Sequence, residues 1–350
     1  MGFLGARRRT WQCVLPSFIS DPTILTALSL IDSAALNLLT PEAILAATRE
    51  VTLGKSIQLD LRLDHFSHGI AGRERFEQTI VDFRERNKGH GDYDIVAHDD
   101  VITLNTQSSS QWDGLRHVGH QESATYYNGM KHREIDEGLD GRLGIQSTFI
   151  RLLLVPPGLR LTWAVIDWVN NGGIVGRGIL LDYVRWRAQT GKEPAKADAR
   201  TPITVDELEA VATYQNTSFQ TGDILLVRTG FLVWHDSTPP QERNPALDKA
   251  DFIGIEASMK SVKWLWNHHF AAVAGDTMSF EVSPVPLGKG QVALHEWLLT
   301  HWGSPIGELW DLEKLSAACD EARKWSFLLT SAPLHVYGGV GTPCNAIAIL

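Results

Sequence analysis

Apolar and polar positions follow first a helical and then an extended period in the early part of the chain. Thr40 is followed by Pro41 and by the helix-forming residues 42–47, which predicts an N-cap, a proline in the first turn and a helix. Residues 55–61 then alternate polar and apolar side chains, the period of a strand with one buried face. A helix that leads into a strand is therefore predicted here.

The same order recurs further along the chain. Thr204 and Glu207 have the spacing of a capping box ahead of an apolar helical face, and residues 224–229 are rich in strand-forming side chains. A buried strand ending in a carboxylate is predicted at residues 271–276. The helix before it is predicted from four apolar residues spaced i, i+4, i+7 and i+11, namely Ile255, Met259, Val262 and Trp266. Alternating helices and strands indicate an α/β fold.

One apolar segment follows neither the helical nor the strand period. Residues 147–166 are interrupted by Pro156 and Pro157, which block regular hydrogen bonding at the centre of the segment. We therefore expect no regular core element there.

Amino-acid composition and net charge indicate which kind of molecule the protein binds. Apolar residues make up 43% and charged residues 21% of the 350 positions, which is typical of an ordinary globular protein. The formal net charge is −9, and the longest basic block is Arg7 to Arg9. An acidic chain without a basic surface is unsuited to a nucleic acid, so we expect a small-molecule substrate and no nucleic-acid partner.

The number of cysteines and the lengths of the apolar runs indicate the cellular compartment of the protein. Cys13, Cys319 and Cys344 are too few and too scattered for a disulfide framework, which favours a reducing compartment. No apolar run has the length and purity of a membrane span or of an export signal. We therefore expect a cytoplasmic protein with no membrane partner.

Candidate chemistry is densest in residues 107–120, where a carboxylate, two amides and two imidazoles fall among small polar residues. Residue types alone leave two interpretations open, a functional site or a surface turn whose polar side chains cap the local backbone. A second candidate pair is His295 with Glu308. His295 and His301 are six positions apart, so they do not form the i, i+4 pair of a metalloprotease helix.

Several ordered motifs, at residues 36–41, 173–182, 222–230, 275–279 and 338–343, give the chain a resemblance to a known family. It resembles the metal-dependent cyclase superfamily, which includes bacterial-type kynurenine formamidase and isatin hydrolase, and is most similar to the larger fungal and bacterial branch. The resemblance implies an α/β domain of the swivelling β/β/α type over residues 31–350, with an insertion at 147–166 and a poorly matched segment at 1–30.

The family signature H-x-G-T-H-x-D-x-P-x-H corresponds to residues 107–117. By resemblance, Asp113 is the metal-binding carboxylate and His117 the catalytic acid/base, and His295 and Glu308 complete the metal site. Gln107 and Gln111 stand where the family has two metal-binding histidines, which leaves them as weak ligands. An oxygen-rich ligand set favours a single divalent ion, Mn2+ in preference to Zn2+.

The resemblance implies a hydrolase that uses metal-activated water to cleave a C–N or C–O bond of an amide, cyclic amide or lactone. Trp112, Tyr126 and Tyr127 suit a flat substrate and are predicted to bind it. Two alternatives remain open, a non-hydrolytic cyclase or dehydratase of secondary metabolism and a metal-free binding protein that has lost catalysis. We also expect a homo-oligomer, either a dimer or a tetramer.

Overall fold

Nine strands form one mixed sheet in the computed structural model, which describes residues 34–66, 69–86, 95–137, 141, 143–145, 150–154, 160–164, 168–169 and 172–350. The strands are β1 (Ser56–Gln58), β2 (Glu77–Asp82), β3 (His98–Thr103), β4 (Gln111–Asp113), β5 (Ile150–Leu154), β6 (Arg160–Ala164), β7 (Ile174–Asp182), β8 (Pro202–Ile203), β9 (Ile224–Arg228), β10 (Gly254–Ile255), β11 (Ala272–Gly275), β12 (Ile306–Glu308), β13 (Ser326–Ser331), β14 (Gly341–Pro343) and β15 (Ala346–Ile349). The helices are α1 (Pro41–Ala47), α2 (Phe83–Arg86), α3 (His132–Asp136), α4 (Tyr183–Gln189), α5 (Val205–Tyr214), α6 (Phe231–Ser237), α7 (Pro240–Lys249), α8 (Met259–His268) and α9 (Glu313–Ala322). Short 3-10 turns lie at Ala35–Leu38, Thr48–Glu50 and Tyr127–Gly129, and a π-helical turn at Glu296–His301.

The centre of the large sheet is parallel and its two sides are antiparallel. Strands β7, β9, β11 and β12 run parallel, joined by crossovers that contain helices. Strands β13, β15 and β1 extend the sheet antiparallel on one side, and β4 and β14 do so on the other. Strands β9 and β11 are buried at every residue, as expected for parallel strands covered on both faces. The predicted α/β class is confirmed.

The predicted helix starts at Thr40 and Thr204 are confirmed. The Thr40 hydroxyl accepts a hydrogen bond from the backbone N–H of Ala43, and α1 begins at the next residue, Pro41. The Thr204 hydroxyl accepts from the N–H of Glu207, whose carboxylate accepts in return from the N–H of Thr204. These reciprocal bonds satisfy two N–H groups that a helix start would otherwise leave unpaired.

The apolar stripe predicted for the next helix is only partly correct. Ile255 lies in β10, outside α8, whereas Met259 and Trp266 are 40% and 39% exposed. The Ser258 hydroxyl caps the helix, which therefore starts at Met259, four residues after Ile255. The residues that α8 buries are Ser261, Val262, Trp264 and Leu265, an arc that is rotated relative to the predicted one and shares only Val262 with it.

Strands β5 and β6 lie within the segment for which no regular element was expected. They pair with each other antiparallel in a two-stranded sheet, from Ile150 opposite Ala164 to Leu154 opposite Arg160. The rest of the expected insertion at 147–166, and the whole of segment 1–30, lie outside the described residues. Within the described ranges, no helix is both long enough and apolar enough to cross a membrane.

Candidate metal centre

Strand β4 carries part of the predicted signature into the interior of the large sheet. It lies between β12 and β14, with Gln111 in register with Glu308, and Asp113 in register with Ile306. Successive side chains of a strand point to opposite faces, so Gln111 and Asp113 share the face of Glu308, and Trp112 takes the other face. The pairing therefore brings one carboxylate from each strand to the same face of the sheet.

The structure brings together three of the predicted site residues. Ligand-type atoms of Asp113, His295 and Glu308 all lie within 4.8 Å of one another, and all three side chains are buried. His295 Nε2 is 3.1 Å from Glu308 Oε1 and 3.7 Å from Asp113 Oδ2. His295 immediately precedes the π-helical turn, a type of distortion that is frequent at functional sites. We refer to these three residues as the Asp113 triad.

The chemistry of the Asp113 triad fits a divalent ion. Among the described residues, neither carboxylate oxygen of Asp113 has a hydrogen-bond partner, although the side chain is fully buried. A buried carboxylate without a partner is costly, and a cation placed between the three side chains would compensate its charge. Two carboxylates and one imidazole are donors that a divalent first-row ion accepts.

The electrostatics of the Asp113 triad also favour bound positive charge. Burial, together with the charge of Asp113, raises the pKa of Glu308 to about 7. Burial alone would lower the pKa of His295, but its hydrogen bonds with Glu281 and Glu308 hold that pKa well above the usual value. The two shifts differ in origin, because burial itself raises the pKa of Glu308, whereas the two neighbouring glutamates raise that of His295 against the effect of burial.

Glu281 is a site residue that the sequence analysis did not find. Its Oε1 accepts hydrogen bonds from the backbone N–H and from Nδ1 of His295, both at 2.8 Å, and its Oε2 accepts from the N–H of Leu294 at 2.7 Å. An Nδ1 that donates to Glu281 leaves Nε2 directed at Asp113 and Glu308, the arrangement that orients metal-binding histidines. The sequence contains one indication of this role. Glu281 lies between the apolar residues Phe280 and Val282, and a carboxylate that is buried with them requires a partner.

Gln111 and Gln107 line the same face beside Glu308. Gln111 Nε2 donates to Glu308 Oε2 at 2.9 Å and lies 3.3 Å from Gln107 Oε1. The amide nitrogen of Gln111 therefore faces the carboxylate and restrains its orientation. In the described part of the chain, Gln111 Oε1 and Gln107 Nε2 have no hydrogen-bond partner. A weak ligand role for the two glutamines stays a prediction.

His117 lies at the more open edge of the Asp113 triad. It follows β4 in a turn closed by its N–H and the carbonyl of Gly114, and its Nε2 is 3.9 Å from Asp113 Oδ1. The side chain is 20% exposed, whereas that of Asp113 is fully buried. Burial lowers the pKa of His117, against the opposite effect of the Asp113 charge, so the imidazole is neutral near pH 7 and able to accept a proton.

The aromatic residues predicted to bind substrate are buried. Trp112 is 0% exposed, donates its indole N–H to Ser331 Oγ at 2.9 Å and packs edge-on against Trp310. Strand alternation turns Trp112 to the face opposite Asp113, and its role at the substrate stays a prediction. Tyr126 and Tyr127 are 8% and 5% exposed, and their role at the substrate stays a prediction.

Comparison with known proteins places this arrangement in a family. The family model Cyclase, described as "Putative cyclase", matches residues 67–282, more than half of the chain. The crystal structure of a novel cyclase is similar at 28% identity and a TM-score of 0.73, covering 91% of this chain and 96% of that one.

Isatin hydrolases share the fold at lower identity. Isatin hydrolase A from Ralstonia solanacearum is similar at 14% identity and a TM-score of 0.51, covering 94% of this chain and 98% of that one. Isatin hydrolase A from Labrenzia aggregata, bound to benzyl benzoate, is similar at 13% identity and a TM-score of 0.50. The match covers 84% of this chain and 93% of that one. Among curated proteins, none matches the sequence. The length of the family match and the predicted signature around Asp113 lead to one conclusion, that the chain belongs to the cyclase family.

Proposed function

We propose that the chain is a metal-dependent hydrolase that adds water across a C–N or C–O bond of an amide, cyclic amide or lactone. The observation that carries the proposal is the Asp113 triad, in which a buried carboxylate has both oxygens without a hydrogen-bond partner in the described ranges. His117 supports it, because a neutral imidazole at the open edge of that triad is placed to transfer protons.

Each residue has a distinct task in this reaction. Asp113, His295 and Glu308 would hold the ion, and Glu281 keeps His295 in the tautomer whose Nε2 faces it. When bound, a divalent ion supplies Lewis acidity that activates water and polarises a carbonyl. His117 removes a proton from the attacking water and returns it to the leaving nitrogen or oxygen, a contribution of ~10²–10⁴-fold in rate. The water oxygen ends on the acyl carbon and its proton on the leaving group.

Hydrolases occur among the proteins that share this fold. The structures of isatin hydrolases show that this fold accommodates a hydrolase, although at 13–14% identity the likeness establishes the fold alone. A cyclase or dehydratase would use the same residues without incorporating water into its product. A metal-free binding protein would have no need for a buried carboxylate whose charge an ion compensates.

The decisive experiment measures metal and water incorporation together. Purified protein is analysed for metals and assayed against aryl formamides, cyclic amides and lactones in water enriched in oxygen-18. We expect chelator-sensitive turnover with one labelled oxygen per product, and loss of both metal and turnover in Asp113→Asn. A product without label would favour the cyclase or dehydratase, and a stably folded protein without metal or turnover would favour the binding protein.

We also propose that the chain assembles as a dimer or tetramer. Strands β2 and β3 form a two-stranded ribbon that exposes Ile80, Val101 and Ile102, which is consistent with burial in an assembly. Light scattering coupled to size-exclusion chromatography tests this proposal directly, and the mass of a single chain would contradict it.

A further inference from the structure

A second cluster of metal-binding side chains lies where residues 61–66 meet α6. Asp236 Oδ1 is 2.9 Å from His65 Nε2 and 2.8 Å from His235 Nδ1. The ligand-type atoms of all three residues lie within 4.8 Å of one another. These residues come from different elements than the Asp113 triad, and the hydrolase proposal assigns them no task.

We propose that His65, His235 and Asp236 form a separate binding site for a borderline divalent transition ion, for which Zn2+ is the representative. Two imidazole nitrogens and one carboxylate oxygen are the three-ligand set that zinc accepts when water completes its shell, whereas Mg2+ and Ca2+ favour oxygen ligands. Ligand atoms about 2.0–2.1 Å from a tetrahedral ion lie roughly 3.3 Å from one another. The contacts of Asp236 Oδ1 with His65 Nε2 and with His235 Nδ1 would therefore each have to lengthen by about 0.5 Å.

The three side chains combine one fixed ligand with two adaptable ones. His235 is 5% exposed, and its ring packs against Phe66 at 4.7 Å while its carbonyl accepts from Arg243. His65 and Asp236 have side chains 22% and 53% exposed, so they can open to admit an ion.

The surroundings of the cluster provide a route for an ion. A surface cavity of about 480 Å³ opens beside Asp236 and is also bounded by Asp311 and Lys314. The carboxylates of Asp236 and Asp311 attract cations, and Lys314 offsets only part of that charge. The nearby Arg243 guanidinium opposes binding, so we expect an affinity below that of a complete four-residue zinc site.

A zinc titration with matched variants tests the proposal. The number of Zn2+ ions bound per chain is measured by isothermal titration calorimetry for the wild type, for His65→Gln and Asp236→Asn, and for His98→Gln as the control. His98 is an exposed histidine 3.9 Å from a carboxylate of Asp82, so it reports what an ordinary surface pair contributes. We expect one ion fewer, or at least ~10-fold weaker binding of that ion, in His65→Gln and Asp236→Asn, with no change in His98→Gln and no corresponding heat with Mg2+.

Zinc binding identical to the wild type in both cluster variants would overturn the proposal. The cluster would then be a hydrogen-bonded clamp between residues 61–66 and α6, and the variants would lower the melting temperature equally with and without Zn2+. Asp113→Asn in the same titration reports the ion of the Asp113 triad, so failure of one site is distinguishable from failure of the other.

Discussion

Gln111 and Glu308 face each other in register across β4 and β12, and Gln111 Nε2 donates to Glu308 Oε2 at 2.9 Å. The second oxygen, Glu308 Oε1, is directed at His295 Nε2 at 3.1 Å. The amide therefore occupies one carboxylate oxygen and leaves the other for a ligand role. A glutamate held in this way presents a single oxygen, which limits the number of ions that the Asp113 triad can hold.

We therefore expect one divalent ion per chain at the Asp113 triad, with Mn2+ bound in preference to Zn2+ because oxygen donors dominate. Elemental analysis of the His65→Gln protein measures this site without the second cluster. Two tightly held zinc ions in that variant would contradict the prediction.

Replacing both amides by imidazole should change the metal preference. In Gln107→His combined with Gln111→His, two nitrogen ligands join the face that carries Asp113, so zinc occupancy should rise. Zinc titration of the double variant and of the wild type gives the comparison. Equal occupancy in the two proteins would mean that positions 107 and 111 do not face the ion.

Glu281→Gln should weaken metal binding by roughly 10–100-fold without touching a ligand, because the amide no longer fixes the tautomer of His295. Competition with a chromogenic chelator measures the affinity. Glu296→Gln is the matched control, since Glu296 is also buried and next to His295 in sequence, but accepts from the N–H of Gln121. Similar losses in both variants would assign the effect to general destabilisation.

His117→Ala should lower kcat by at least ~10²-fold while the metal content stays unchanged. His120→Ala should have a mild effect, because His120 Nδ1 lies 2.8 Å from the Ser123 hydroxyl and its side chain is 28% exposed. Steady-state kinetics with parallel metal analysis separates the two variants. Equal losses would show that the signature has been aligned in the wrong register.

The pH dependence of kcat/KM should have an acid limb whose apparent pKa lies below the usual value of a histidine. Burial lowers the pKa of His117, and a general base is active only when neutral, so activity is present above that pKa and lost as the pH falls through it. A pH–rate profile at saturating metal measures the limb. The residual activity of His117→Ala should lack it, and an unchanged limb in that variant would assign the titration to another group.

Replacing residues 147–166 by a short Gly-Ser linker should leave metal binding and turnover intact. Strands β5 and β6 pair with each other in a sheet of their own, and every proposed site residue lies outside the segment. Solubility, metal content and activity of the shortened protein are the measurements. Loss of folding or of the metal would make the segment part of the core or of a subunit interface.

Local signals in the sequence predicted local structure well. The capping side chains of Thr40 and Thr204 mark helix starts because the bonds involved span only three residues. The strands at 224–228 and 272–275 followed from the apolar runs 224–227 and 271–274, which are typical of buried parallel strands. The stripe around Val262 was misplaced, since Ile255 lies before the Ser258 cap and packing against other elements decides which helical face is buried.

The site depended on information that no local pattern contains. Asp113, His295 and Glu308 were identified through the family resemblance, and the structure places them within 4.8 Å, whereas their ligand role stays a prediction. Glu281 was missed because its partner, His295, lies 14 residues away on another element. The substrate role predicted for Trp112 stays untested, and adjacent strand residues point to opposite faces, so Trp112 and Asp113 do not share one.

The large sheet brings Asp113 on β4 beside Glu308 on β12, and the paired residues Gln111 and Glu308 of these two strands are 197 positions apart. A nascent or unfolded chain offers an ion only scattered single ligands, in contrast to the closely spaced motif of a zinc finger. We therefore expect ion binding only after β4 has paired with both β12 and β14. Metal content per chain then serves as a gauge of the fraction of molecules that have completed the sheet.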